Sequence, residues 1–245
     1  MSVAEIESFF ILVSKITVAI MIIPIIVAIW QWKYLNKPLK VFLGFIICLI
    51  VANLLEQGII WYVTNYYEKA KPWLEYWDIH DTNFLAILYR LNHFFWLGWF
   101  YSLLAPGKYR TWIRGLASFL FVAALINYLF IEGYHGFGKF NPAAAAIFTF
   151  GLASFYLWYV YRSQLALPLT KNTYFWLSLA LIIPDLASFF LFLVGDFSHE
   201  ENLAMFITMS IMKNGFMIIS WILMAIGFWR ARYARFVPLP SAAVE

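Results

Sequence analysis

Lys213 stands near the middle of ITMSIMKNGFMIISWILMAIGFW (207–229), a stretch long and apolar enough to cross a bilayer. A charged side chain at that depth costs ~2.5 to 3.5 kcal/mol on insertion scales, so it needs a partner or a task. Other ionisable residues raise the same question: Asp185 in LALIIPDLASFFLFLVGD, Arg90 and His93 in FLAILYRLNHFFWLGWFYSLL, Glu56 in NLLEQG, and Lys15. Arg90 and His93 are one turn apart, and Asn53, Glu56 and Gln57 follow i, i+3, i+4 spacing, so each set shares a helix face. Opposite charges are expected to pair across helices, Asp185 with Lys213 and Glu56 with Arg90, with Asn214 and Ser210 supporting the lysine. Tyr89 and Trp96 extend the polar face of the Arg90 segment, and Asn127 adds an amide from a further segment. A constellation of this kind can hold a small polar or zwitterionic ligand, with Lys213 and Arg90 meeting anionic groups and Glu56 and Asp185 meeting cationic ones. It can equally carry protons.

The elements that must position these groups are transmembrane helices. Hydrophobic residues make up 64% of the 245-residue chain and charged residues 12%, with a mean hydropathy of +0.76, outside the range of soluble domains. Spans are expected at 8–30, 40–64, 83–105, 111–132, 142–162, 172–195 and 203–229, which makes an all-α, polytopic seven-helix bundle. One transmembrane domain then occupies residues 1–235, followed by a short tail at 236–245. Glu5 and Glu7 stand where a secretory signal would carry Lys or Arg, so the first helix is expected to be retained.

Orientation follows from the connections. Lys33, Lys37 and Lys40, then Lys108, Arg110 and Arg114, then Arg162 and Lys171, then Arg230, Arg232 and Arg235 fall on one side. Lys and Arg favour the cytoplasm, so the N-terminus is expected outside and the C-terminus inside. With that orientation and 1.5 Å per residue, Lys213, Asp185 and His93 lie about 15 Å below the outer surface, Glu56 about 12 Å and Arg90 about 10 Å. The polar groups thus gather in the outer half, while the inner half is apolar apart from hydroxyls and aromatics.

Pro184, just before Asp185, should kink the sixth span and free the carbonyl of Ala180. Ala145, Thr149 and Ala153 form a small-residue stripe suited to close helix packing. Most of the aromatic residues, 21% of the chain, are read as interfacial belts and packing. The outer segment holding Trp73, Tyr76 and Trp77 could lie on the membrane as a short amphipathic lid. The single cysteine, Cys48, rules out an internal disulfide. Intramembrane zinc hydrolases of the ceramidase and adiponectin-receptor type need several membrane-embedded histidines, and His80, His135 and His199 fall in connections. No metal ligand set and no catalytic residue is assigned. Nucleic acid is not expected as a partner.

Two segments carry a likeness. The first hairpin, IIPIIVAIWQWKYLNKPLKVFLGFIICLIVANLLEQ, and the third span, LYRLNHFFWLGWFYSLL, resemble small, uncharacterised seven-helix membrane proteins abundant in Bacteroidota. They share a basic K-P-x-K connector, an acid late in helix two and a polar-aromatic helix three. The resemblance implies a bacterial inner-membrane protein of this topology and attaches no activity to particular residues. SIMKNGF is locally similar to the seventh helix of microbial rhodopsins, which implies retinal as a cofactor on Lys213. This chain departs from that pattern where RLNHFFW has histidine in place of an acid, and where Met209 precedes the lysine by one turn.

The expected function is that of a receptor-like membrane protein binding a small polar ligand or protons, and signalling through a cytoplasmic or membrane partner. A proton- or ion-coupled transporter is the alternative, and a retinal protein the second alternative.

Overall fold

The computed structural model describes residues 3–79, 81–133, 138, 140–162, 168–186 and 203–237, and these are helical almost throughout, with no strand among them. The first helical pair is α1 (Val3–Ile20) and α2 (Ile23–Trp30). They are two helices rather than one because Pro24 has no N–H to offer the preceding turn and its ring crowds it. Thr17 adds to the bend by donating to Val13 O at 2.8 Å.

The long helix α3 (Lys37–Asn65) starts where Asn36 Oδ1 accepts the Leu39 N–H at 3.4 Å, with Pro38 in the first turn. Its inward stripe begins with Leu39, Phe42, Phe45 and Ile46, all at most 1% exposed. Continued at the same spacing, that stripe becomes Leu49, Asn53 and Glu56, so one face turns from aromatic to polar midway along the helix. A short helix, α4 (Tyr67–Tyr76), follows; it exposes Trp73 and Tyr76 and buries Ala70.

The next helical run is continuous but changes pitch. It comprises α5 (Ala86–Asn92), a π-helical turn (His93–Leu97) and α6 (Gly98–Leu104). Asn92, Phe94, Leu97, Phe100 and Tyr101 are buried, which makes this run the central strut of the bundle. Its neighbour α7 (Gly107–Ile126) continues into a second π turn (Asn127–Ile131). A Cβ on Gly98 would sit 2.4 Å from Ala117 Cβ, so only glycine lets α6 and α7 approach this closely. Helix α8 (Phe140–Arg162) buries its small stripe of Ala145, Thr149 and Ala153 to 1% exposure or less. Such stripes let van der Waals contact hold helices together where lipid supplies no hydrophobic drive.

Helix α9 (Thr173–Leu186) runs to the edge of the described residues. Helix α10 (Leu203–Trp229) packs along both α1 and α2, with Trp30 and Trp229 edge to face at 5.3 Å. Thr173 Oγ1 donates to Gly227 O at 2.9 Å, tying the start of α9 to the end of α10.

Among the described residues, five helices are long and apolar enough to cross a membrane: Ser8–Trp30, Lys37–Asn65, Gly107–Ile131, Phe140–Arg162 and Ile207–Trp229. The chain therefore has the make-up of a multi-pass membrane protein. At the basic end, Lys33, Lys40, Lys108 and Arg162 each sit over an aromatic ring, 4.9 to 5.4 Å from its centroid.

Candidate functional site

The polar continuation of α3 faces a cavity of about 450 Å³, enclosed by α1, α3, α5, α9 and α10. Glu56 is held by two donors, one on each oxygen. Tyr89 Oη donates to Oε2 at 2.7 Å and Thr82 Oγ1 to Oε1 at 2.8 Å. Tyr89 comes from α5, one helix over, while Thr82 comes from the connection before it, so the carboxylate fastens that connection to the rim. Asn53, one turn below, lies within hydrogen-bonding reach of the Tyr89 hydroxyl.

His93 opens the π turn and donates from Nδ1 to Tyr89 O at 2.7 Å. Its ring stands edge-on to Phe45 at 5.2 Å and lines the cavity.

Pro184 removes one donor from α9, and the freed Ala180 carbonyl accepts from Ser220 Oγ of α10 at 2.6 Å. The kink leaves Asp185 at the cavity wall. Thr149 of α8 is close enough to interact with it, but its one proton goes to Ala145 O at 2.9 Å. Asp185 Oδ2 is buried without a hydrogen-bond partner among the described residues, and so are Asn53 Oδ1 and the indole Nε1 of Trp221. All three residues line the same cavity. On the opposite wall Asn214 Nδ2 donates to Ser14 Oγ at 3.0 Å, joining α10 to α1.

Nine of the candidate residues meet here: Lys213, Asp185, Arg90, His93, Glu56, Asn53, Gln57, Asn214 and Tyr89. Within the set, Asp185 acts electrostatically on Arg90, and Lys213 on Glu56, with Arg90 as the like-charged neighbour of the lysine.

Two candidates lie outside the cavity. Lys15 is exposed, because the cavity-facing line of α1 is Ser14, Thr17, Val18 and Met21, and residue 15 is about 100° round the helix from residue 14. Trp96 instead stacks on Trp99, with ring centroids 5.7 Å apart, and covers Gly44, whose Cβ would meet the Trp96 ring at 2.7 Å. Its three-residue spacing from His93 would put both on one α-helical face. The π turn between them takes more residues per turn, so the three-residue spacing no longer repeats the face and Trp96 is turned elsewhere.

Asn127 also sits apart, donating from Nδ2 to Glu132 Oε2 at 2.7 Å, while Glu132 Oε1 accepts the Phe140 N–H at 2.9 Å. That group closes the turn between α7 and α8. Ser210 is not among the residues lining the cavity. His80, His135 and His199 lie outside the described residues. No group of three or more His, Cys, Asp or Glu side chains among the described residues could hold a metal ion.

Sequence reasoning missed Ser14, Thr82, Ser220 and Trp221. Ser220 and Trp221 were accessible, since Lys213, Met217, Ser220, Trp221 and Met224 repeat at helical spacing on one face of α10. Thr82 lies in a connection and leaves no periodic signal.

Toward the basic end the buried polar groups change character. Tyr101 Oη donates to Ser178 Oγ at 3.0 Å, and Asn172 Nδ2 donates to Tyr156 Oη at 3.4 Å. The Tyr174 hydroxyl lies 2.7 Å from Asn36 Nδ2. Phe42, Phe100, Tyr101 and Tyr156 pack among them, with Phe42 and Phe100 ring centroids 4.9 Å apart.

No family model matches the chain, and neither the curated proteins nor the solved structures compared with it give a match.

Proposed function

We propose that this is a seven-helix inner-membrane receptor or sensor that binds a small zwitterionic ligand in the charged cavity. The spans are α1 with α2, α3, α5 with α6, α7, α8, α9 and α10. The basic end faces the cytoplasm, by the preference of Lys and Arg for that side. The cavity then belongs to the outer half.

One observation carries the reading. Buried acceptors on Asp185 and Asn53 and a buried donor on Trp221 converge, without protein partners among the described residues, on a space also lined by Lys213, Arg90, Glu56 and His93. Buried polar groups are normally satisfied, so these suit an occupant with donors at one end and acceptors at the other. The ammonium group of such a ligand belongs near Asp185 and its anionic group near Lys213. A carrier would also need a route to the cytoplasm, and the hydrogen-bonded tyrosine layer beneath the cavity favours binding over transport.

Trp221 lies on the cavity wall. The tryptophan fluorescence of the detergent-purified protein, titrated with amino acids and betaines and with the corresponding simple amines and carboxylates, should therefore change saturably with a zwitterion and weakly with either half alone. Trp221→Phe should remove that change from the signal of the twelve tryptophans. Lys213→Met should remove the response. An unchanged response in Lys213→Met, or none to any zwitterion, overturns the proposal. Counterflow in proteoliposomes separates a carrier from a receptor, because only a carrier accumulates substrate. A visible absorption band on adding retinal, lost in Lys213→Met, would put the lysine to the other use its position allows.

A further inference from the structure

A second and larger recess lies on the far side of the central helical run. It measures about 720 Å³ and is lined by Phe95 and Trp99 on one wall and Phe121 and Val122 on the other, with Lys37 and Arg114 as its two charged lining residues. Gly98 and Ala117 form its floor, where α6 and α7 touch too closely for any larger residue at position 98. The π turn that supplies Phe94 and Phe95 shapes its upper wall.

Charge is placed at one end. Lys37 is the first residue of α3, while Arg114 precedes Val122 by eight residues, or about 12 Å along the helix. Arg114 is steered by Nε, which lies 3.2 Å from Ser102 Oγ. One turn earlier, Arg110 Nε donates to Ser102 O at 3.2 Å, and its Nη2 is buried with no hydrogen-bond partner among the described residues. Two cations therefore line one end of an apolar trough, with Arg110 held one turn from Arg114 through Ser102. No acidic side chain is among the residues that line it.

We infer that this trough is a binding site for an anionic phospholipid, with an acyl chain between α6 and α7 and the headgroup phosphate against Lys37 and Arg114. Basic pockets between transmembrane helices at the cytoplasmic surface are suited to acidic headgroups. A guanidinium fork offers the paired donors that a phosphate accepts. The apolar walls require a chain, so a free phosphate would meet only half of the site. The site is separate from the zwitterion cavity and does not depend on what that cavity binds.

The test uses the whole protein in a neutral detergent, with native mass spectrometry reading retained lipid. Phosphatidylglycerol and phosphatidylcholine with identical acyl chains are compared, and glycerol phosphate is added as a chainless competitor. Retention of phosphatidylglycerol should exceed that of phosphatidylcholine by about tenfold or more. Lys37→Gln combined with Arg114→Gln should bring the ratio near one, whereas Arg114→Lys, which keeps the charge, should preserve most of it. Ser118→Trp, placed in the trough wall, should lower retention of both lipids. Equal retention by the wild-type protein, a preference unchanged in the double variant, or displacement by glycerol phosphate alone would overturn the assignment. Retention in Ser118→Trp equal to the wild type would place the lipid elsewhere and overturn it too.

Discussion

Glu56, Asp185, Arg90 and Lys213 surround open space at one level of the bundle, whereas Tyr101, Tyr156 and Tyr174 are packed against other rings at another. Both regions bury polar groups drawn from several helices. In the tyrosine layer each hydroxyl has a neutral partner, Ser178, Asn172 or Asn36, and aromatic rings fill the remaining volume. Satisfied in this way, a neutral polar group is cheap to bury. The charged level is built differently: Glu56 accepts from Tyr89 and Thr82, while Asp185, Asn53 and Trp221 keep buried atoms with no hydrogen-bond partner among the described residues. Packing alone does not call for ionisable groups around a cavity, because apolar residues of similar volume usually do that job as well or better. The difference separates a region closed by neutral hydrogen bonds and packed rings from one that keeps charged groups around open space.

The sharpest break of that contrast comes at Asp185. Asp185→Leu removes the acid whose charge acts on Arg90, and breaking a buried charge interaction costs ~3 to 5 kcal/mol. Its thermal transition in detergent should fall accordingly. Adding Arg90→Met should recover much of the loss, and adding Lys213→Met should recover little. The reverse order would restore the Asp185–Lys213 pairing expected from depth.

A smaller effect is expected where the kink of α9 is satisfied. Ser220→Ala orphans the Ala180 carbonyl at a cost of ~1 to 3 kcal/mol. In a Pro184→Ala background, where residue 184 regains its N–H, the same change should cost clearly less, by the same melting measurement. Equal costs in both backgrounds would separate the serine from the proline.

The smallest change belongs to the closed layer. Tyr101→Phe gives up one neutral hydrogen bond, worth ~0.5 to 1.5 kcal/mol, and should leave the Trp221 fluorescence titration unaltered. A shift in that titration would mean the two levels are coupled, and it would favour a transport cycle over a simple receptor.

Much of this was legible in the sequence because depth in a helix is arithmetic. Counting residues from the span ends placed Glu56, Arg90, His93, Asp185 and Lys213 at similar levels, and the cost of charge in hydrocarbon argued that they face inward. Pro184 likewise announced a free carbonyl, although not the hydroxyl that caps it. Trp96 and Lys15 went astray for separate reasons. A π turn has no dependable signature in residue type, yet it rotates everything beyond it. The inward face of α1 is a line of Ser, Thr, Val and Met, which a charged neighbour easily outweighs on paper.

Residue type and spacing by themselves determined that the chain is helical and membrane-embedded, and which side chains are too polar to face lipid, since hydropathy and helical period are local properties. Tertiary structure alone decided that Ser220 completes α9 and that Thr82 fastens a connection to the cavity. Those are relations between helices, set by the rotation and approach of whole segments, and one glycine contact or one π turn can change them without altering any local pattern.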